Sequence, residues 1–305
     1  MGIFTTRNLT DKRNLGIVAS VRMRKTGVPE GHTLGELIRA NPELFASRFI
    51  FTTRGTYDDA IGKERFAVTG KWHAKWEGWD GFVLRPGKLG GVMEMASLLE
   101  GGTDRRDRVE ALIFLTGPDV LEEGYPEDRA LLRSAIRNNV VLLPTFHTAL
   151  LWSACEADRR YCPPGYIKPF EKGDTLALIA HDKRKIELCC WAVRHRERLR
   201  NFDRIITTGT TGTLVGNFLE AVGVDRSRID ARYSGPEGGD VQIAVEVLYG
   251  RCRHVVFFVD PMTSHPHEAD IQSLMRICTM PDVGVNLRLT EAAASSWITS
   301  IPGVE

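Results

Sequence analysis

Four short segments in the second half of the chain combine residue types that bind anions with residue types that move protons. The first is TGTTG, Thr208 to Gly212, directly after Ile205, Ile206 and Thr207. Gly209 and Gly212 let the backbone approach an anion closely, and Thr208, Thr210 and Thr211 can donate hydroxyls to phosphate oxygens. A helix opening here adds unpaired N–H groups and a favourable dipole. The same turn would serve equally as a plain helix cap. The second segment, AHDKRK from Ala180 to Lys185, offers His181, Asp182 and Lys185. Here the lysine is a phosphate counter-ion or a solvated charge, and the His–Asp pair is a substrate contact or a surface turn. In the third, SGPEGGD from Ser234 to Asp240, glycines and a proline form a tight loop that delivers Asp240 to the head of a helix. Asp at such a place is ordinarily an N-cap. The fourth, DPMTSHPHEAD, brings Asp260, His265, His267 and Asp270 after the run VVFFV. It has neither the helical HxxxH spacing nor a cysteine that would argue for a metal, and none is expected.

These loops need strands behind them and helices in front. Short apolar, β-branched runs alternate with helical patterns: LALIA then IELCCWAVRHRERL, IITTG then TLVGNFLEAVG, VQIAVEVLYG then VVFFV, and SLMRICTM before VGVNL. Such alternation predicts a mostly parallel sheet covered by helices on both faces, with ligands at the carboxyl ends of the strands. The first half repeats the order of landmarks. LGIVAS matches LALIAH, FIFTTRGT matches RIITTGTT, RPGKLGGV matches YSGPEGGD, and ALIFLTGPD matches VVFFVDPM. The separation between matched positions falls from 161 residues (Leu15 to Leu176) to 155 (Thr53 to Thr208), 148 (Gly87 to Gly235) and 143 (Pro118 to Pro261). The first half therefore carries extra residues between landmarks, where loops tolerate them. The expected fold class is α/β, with two tandem three-layer α/β/α domains, each on a doubly wound, mostly parallel sheet. The first domain is placed at residues 1–154, a linker containing Pro163, Pro164 and Gly165 at 155–174, and the second domain at 175–305.

With 305 residues, 43% hydrophobic and 26% charged, the chain has the make-up of an ordinary globular protein of two domains. A net charge of +1 gives no electrostatic reason to expect nucleic acid or an acidic membrane surface. No apolar run reaches the roughly 20 residues of a membrane span, and MGIFTTRNLTDKRNLG lacks the apolar core of a signal peptide. The six cysteines form no CxxC pair and no cluster with histidine, and are read as reduced thiols of a cytoplasmic protein. Vicinal Cys189 and Cys190 fall in a predicted helix and are read as core filler. Trp72, Trp76 and Trp79 are read as packing residues of an insertion in the first half, with an interface anchor as the other reading.

Together and in this order, AHDxxK, TGTTG, SGPxGGD and DP followed by PHxxD resemble the methylglyoxal synthase family over nearly the whole second half, Leu176 to Ile301. Thr5 to Ser20 also resembles that family's N-terminal stretch. The resemblance implies conversion of dihydroxyacetone phosphate into methylglyoxal and inorganic phosphate, with no metal and no organic cofactor. It implies a phosphate cradle of Lys185, Thr208, Gly209, Thr210, Thr211, Ser234 and Gly235, and a substrate contact at His181. It also implies a catalytic base at Asp240 and a histidine on the substrate's oxygens at His267. Asp182, Asp260 and Asp270 match further acidic positions around the site. The residue types suit such a reaction: a positioned carboxylate removes a proton α to a carbonyl, and hydrogen-bond donors stabilise the enediolate. One departure is NLRLTEAAASS, Asn286 to Ser296, in place of the alanine-rich run usual after that asparagine.

The first half departs where chemistry is needed. Ser20 and Val21 stand at the positions of His181 and Asp182, Arg24 near Lys185, Val92 at Asp240 and Gly117 at Asp260, and TTRGT (Thr52 to Thr56) keeps hydroxyls but not TGTTG. A valine cannot take a proton, so this half is expected to be inactive: a scaffold copy, or a regulatory site in which Arg24 and Arg54 hold a ligand. Family members form symmetric hexamers, which for a tandem chain implies a homo-oligomer, in the simplest case a trimer of two-domain chains. The implied partner is a small-molecule phosphate substrate, with no nucleic acid and no membrane. One competing reading is a non-catalytic phosphate- or metabolite-binding module, which would have eroded base and histidine in both halves. Another is the cyclohydrolase of purine synthesis, which the SGPEGGD and PHEAD spacing fits less well.

Overall fold

The computed structural model describes residues 13–25, 32–61, 80–101, 108–115, 126–156, 170–262, 268–280 and 283–303. Among the described residues ten short strands assemble into two five-stranded sheets in which every pairing is parallel. The first sheet holds β1 (Asn14–Ala19), β2 (Phe49–Thr53), β3 (Asp80–Leu84), β4 (Ala111–Leu115) and β5 (Val141–Leu143), in the order β3-β2-β1-β4-β5. The second holds β6 (Thr175–Ala180), β7 (Arg204–Thr207), β8 (Ile229–Ala231), β9 (His254–Phe258) and β10 (Asn286–Arg288), in the order β10-β9-β6-β7-β8. Read from the opposite edge, that is the same order. The central strands β1, β4, β6 and β9 are near-continuous apolar runs because helices cover both of their faces.

The first sheet is flanked by α1 (Val21–Lys25), α2 (Leu34–Ala40), α3 (Pro42–Ala46), α4 (Arg54–Thr56, continued by a π turn over Tyr57–Ile61), α5 (Gly91–Leu99), α6 (Pro126–Arg137) and α7 (Phe146–Glu156). The second is flanked by α8 (Lys185–Arg194), α9 (Arg196–Leu199), α10 (Gly209–Glu220), α11 (Gly239–Leu248), α12 (Glu268–Thr279) and α13 (Glu291–Ile298). The single helix read over IELCCWAVRHRERL is thus two, broken at His195, whose buried ring lies against Trp191 and 3.4 Å from Ser295 Oγ. Of the vicinal pair, Cys189 is buried and Cys190 exposed. Cys155 and Glu156 form the last turn of α7, and Phe170 packs edge-on against Phe202 at 5.3 Å. Residues 157–169 and Trp72, Trp76 and Trp79 lie outside the described residues. Among the described residues no helix is long and apolar enough to cross a membrane.

The correspondence between halves reaches single hydrogen bonds. Thr53 and Thr56 hydroxyls meet at 3.0 Å, as Thr208 and Thr211 do at 3.1 Å. Arg54 N donates to Arg85 O as Gly209 N does to Tyr233 O, at 3.3 and 2.9 Å. Gly90 and Gly238 share a left-handed backbone, with φ of 98° and 93°.

The halves meet through corresponding surfaces. Thr145 Oγ1 donates to Val285 O at 3.3 Å, and Thr290 Oγ1 donates to Val140 O at 2.7 Å. Each threonine precedes the helix after its sheet's last strand, and the two pairs are the same contact made in both directions. That reciprocity is the mark of a local twofold axis. Beside it, Thr148 Oγ1 accepts the Leu287 N–H at 3.0 Å and donates to Leu287 O at 3.2 Å. An apolar core cluster runs through both halves, from Val18 and Leu112 to Ile179 and Val255.

Candidate phosphate and proton-transfer site

Three loops at the carboxyl ends of β6, β7 and β8 close around a cleft of about 240 Å³. After β6 the chain enters a 3-10 turn, Asp182–Arg184, and then α8. His181 is held by its N–H to Phe258 O at 3.1 Å, and its ring stands edge-on to Phe257 at 5.0 Å. Its Nδ1 accepts the Asp260 N–H at 2.8 Å. An acceptor at Nδ1 places the proton of the neutral ring on Nε2. Lys185 Nζ lies 2.5 Å from Asp182 Oδ1 and 2.5 Å from Thr210 Oγ1, so the ammonium ties the first loop to the second. The Asp182 carboxylate is 92% exposed, which makes it the weak member of that pair.

After β7, α10 begins inside TGTTG with Thr208 as its extended N-cap residue. Thr208 and Thr210 line the cleft. Gly209 and Thr211 do not: the Gly209 N–H goes to Tyr233 O, and the Thr211 hydroxyl is buried against Thr208. After β8, Ser234 leads into a 3-10 turn, Gly235–Glu237, that ends at left-handed Gly238. Ser234, Gly235 and Pro236 line the cleft. Asp240 is the second residue of α11, so the cap position belongs to Gly238 and the ordinary N-cap role does not apply. Asp240 lines the cleft while only 2% exposed. The loop can bring it there because Gly239, with no side chain, passes directly over Tyr233 O.

The remaining expected residues fall elsewhere. Asp260 is buried, with Oδ1 accepting the Met262 N–H at 3.0 Å and Oδ2 3.8 Å from Lys183 Nζ. It reaches the site through its backbone N–H on His181 and does not itself line the cleft. Asp270 sits half-buried in the first turn of α12, away from the cleft lining. His265 and His267 lie outside the described residues. Among the described residues no group of three His, Cys, Asp or Glu side chains is arranged to hold a metal ion. Ile179, Ala180, Pro236 and Phe257 line the cleft without having been singled out from the sequence. Pro236 was visible inside SGPEGGD; Phe257 belongs to a run whose inward face only the sheet defines.

At the matching place in the first half, Val92 is buried where Asp240 stands. Arg24 replaces Lys185, with its guanidinium against the backbone of Gly55 and Nη1 2.7 Å from Asp59 Oδ2. A basic group and paired threonines persist there, but the cation already has a carboxylate and the position of the base is aliphatic.

The second half is a doubly wound α/β domain with a lysine, threonine hydroxyls and a buried carboxylic acid residue gathered at its strand ends, the place where open α/β sheets bind ligands. Searched against family models, the chain matches none. It is 42% identical over 124 residues to methylglyoxal synthase from Thermus thermophilus, covering 40% of this chain and 93% of that one. With methylglyoxal synthase from Cupriavidus pinatubonensis it shares 44% identity over 108 residues, 35% of this chain and 78% of the relative. A crystal structure of methylglyoxal synthase from Elizabethkingia anophelis aligns over 43% of this chain and 80% of that chain, at 32% identity and a TM-score of 0.36. The chain belongs to the methylglyoxal synthase family.

Proposed function

We propose that the second half is a working methylglyoxal synthase, converting dihydroxyacetone phosphate to methylglyoxal and inorganic phosphate. The observation that carries this reading is the placement of Asp240: a buried carboxylate on the same small cleft as Lys185, Thr208, Thr210 and Ser234. The lysine and hydroxyls hold the phosphate. Asp240 removes a proton from the hydroxymethyl carbon, and the electron pair moves onto the carbonyl oxygen to give an enediolate. His181, with its proton on Nε2, is a donor to the developing oxyanion, and His267 is assigned to proton movement between the two oxygens. The C–O bond to phosphate then breaks, its electrons leave with inorganic phosphate, and the resulting enol takes a proton to become methylglyoxal. Purified protein should release methylglyoxal and phosphate in equal amounts. Asp240→Asn should lower kcat by about 10²–10⁴-fold, and full activity in that variant refutes the assignment.

The same reading makes the first half, residues 1–154, a diverged duplicate that acts as scaffold in a cytoplasmic protein. The Arg24–Asp59 pair and Val92 favour scaffold over regulator. We also assign self-association to the chain. Val241, Val245 and Leu248 form an exposed apolar stripe on α11, and Met93 is exposed at the matching position of α5. Such an exposed apolar stripe suits burial against another copy of the chain. Sedimentation should give an assembly larger than one chain, and Val245→Glu should reduce it; a monomeric parent protein refutes this.

A further inference from the structure

On the local axis between the halves lies a second, smaller space. Its walls come in matched pairs, one residue from each half: Leu143 and Arg288, Leu151 and Ser296, Trp152 and Trp297. It is small, about 10 Å³, room for the centre of one water-sized occupant. Three pairs of the lining break the symmetry, the third being Thr148 and Ala293. Where the first half presents leucines, the second presents a guanidinium and a hydroxyl.

Arg288 is 2% exposed. Fully buried arginines are rare unless paired, because an unpaired buried charge loses its hydration without compensation. Yet Arg288 makes no ion pair among the described residues: Nη1 donates to Asn286 O at 3.0 Å, and the guanidinium stacks 4.0 Å from the Trp297 ring centroid. The carboxylates of the two helices that border the space are committed elsewhere, Glu156 to Arg48 at 2.5 Å and Glu291 to Arg194 at 2.5 Å. Burial pushes the Arg288 pKa down to about 9, so it remains charged at neutral pH. Cys155, which also borders the space, is no substitute: burial raises its thiol above the usual value, more than its Ser300 hydrogen bond and the nearby Arg288 lower it.

We infer that this cavity holds a single monatomic anion of halide size, chloride in the cell, bound to Arg288 between the two tryptophans. The anion supplies the counter-charge that the fold does not. Because its walls come from both halves, binding it stabilises their union, and the site is independent of the catalytic cleft.

The test is the melting temperature of the full chain as sodium chloride or bromide replaces sodium gluconate at constant ionic strength. Binding predicts a saturable rise of about 2 °C once the halide is several-fold above its dissociation constant. Arg288→Leu, which installs the residue the first half already has, should give a flat response. Should that variant not fold, Ser296→Leu fills the space while keeping the charge and should blunt the rise. Crystals grown in bromide should show an anomalous peak beside Arg288. A parent protein insensitive to halide, an unchanged rise in both variants, or a cavity without bromide signal overturns the inference. Halide insensitivity combined with a destabilised Cys155→Ser would move the counter-charge to the thiolate.

Discussion

Replacing Gly239 by alanine separates the geometry of the cleft from the stability of the fold, because the first half contains its own control. A Cβ at Gly239 would lie 2.0 Å from Tyr233 O and 2.9 Å from Ser234 O, whereas ordinary contact begins near 3.4 Å. The loop must therefore withdraw by well over an ångström. Tyr233 O is also the acceptor of the Gly209 N–H, so the withdrawal pulls the SGPEGGD loop away from TGTTG and displaces Ser234 and Asp240 together. A misplacement of this size typically costs about 10²-fold in rate, and the overpacking about 1–3 kcal/mol in stability. Gly91 makes the same close pass, 2.0 Å from Arg85 O, beside Val92. Gly91→Ala should therefore lose comparable stability while its folded fraction keeps kcat/KM. The assay is methylglyoxal release from dihydroxyacetone phosphate, normalised to folded protein from thermal melts in the same buffer. If Gly239→Ala keeps near-parental kcat/KM, or Gly91→Ala loses as much, the placement of the cleft is wrong.

Removing the ammonium that joins Asp182 to Thr210, as Lys185→Ala, should lower kcat/KM by about 10²–10³-fold, while Asp182→Asn should have a small effect; steady-state kinetics on both variants decides. Thr148→Val strands the Leu287 N–H at the contact between halves and should cost about 1–3 kcal/mol in denaturant unfolding; an unchanged midpoint would remove that hydrogen bond from the account. His254 is fully buried, and burial holds its pKa below the ordinary 6.5, outweighing the hydrogen bond to Asp174 at 3.2 Å. The unfolded chain then takes up this proton at higher pH than the folded one. Its contribution to stability is complete above pH 6.5 and is lost as pH falls from there toward the folded pKa. His254→Gln should flatten the acid side of the melting profile, and an identical profile argues against it.

The alternation of apolar runs with helical patterns and the repeated landmarks made the two parallel sheets legible in the sequence, since each landmark sits on a strand end fixed by local chemistry. The loops of the cleft were legible for the same reason. What was not legible depends on contacts distant in sequence. That Thr211 turns its hydroxyl inward to Thr208, and that Asp260 meets His181 through its N–H rather than its carboxylate, follows from packing rather than residue type. Asp240 reads as an N-cap until Gly238 is seen to hold that position. The contact of Thr145 with Val285, 140 residues apart, leaves no local pattern at all.

The local twofold axis has a consequence for what can be placed on it. In a pair of identical subunits, every residue at the axis faces its own image, and a guanidinium there would oppose a second guanidinium. Here the two sides are encoded separately. Leu143 can stay aliphatic while Arg288 carries a charge, and Val92 can be inert while Asp240 is ionisable. Joining the halves in one chain thus removes the doubling of every mutation, and lets one side change while the other keeps the fit.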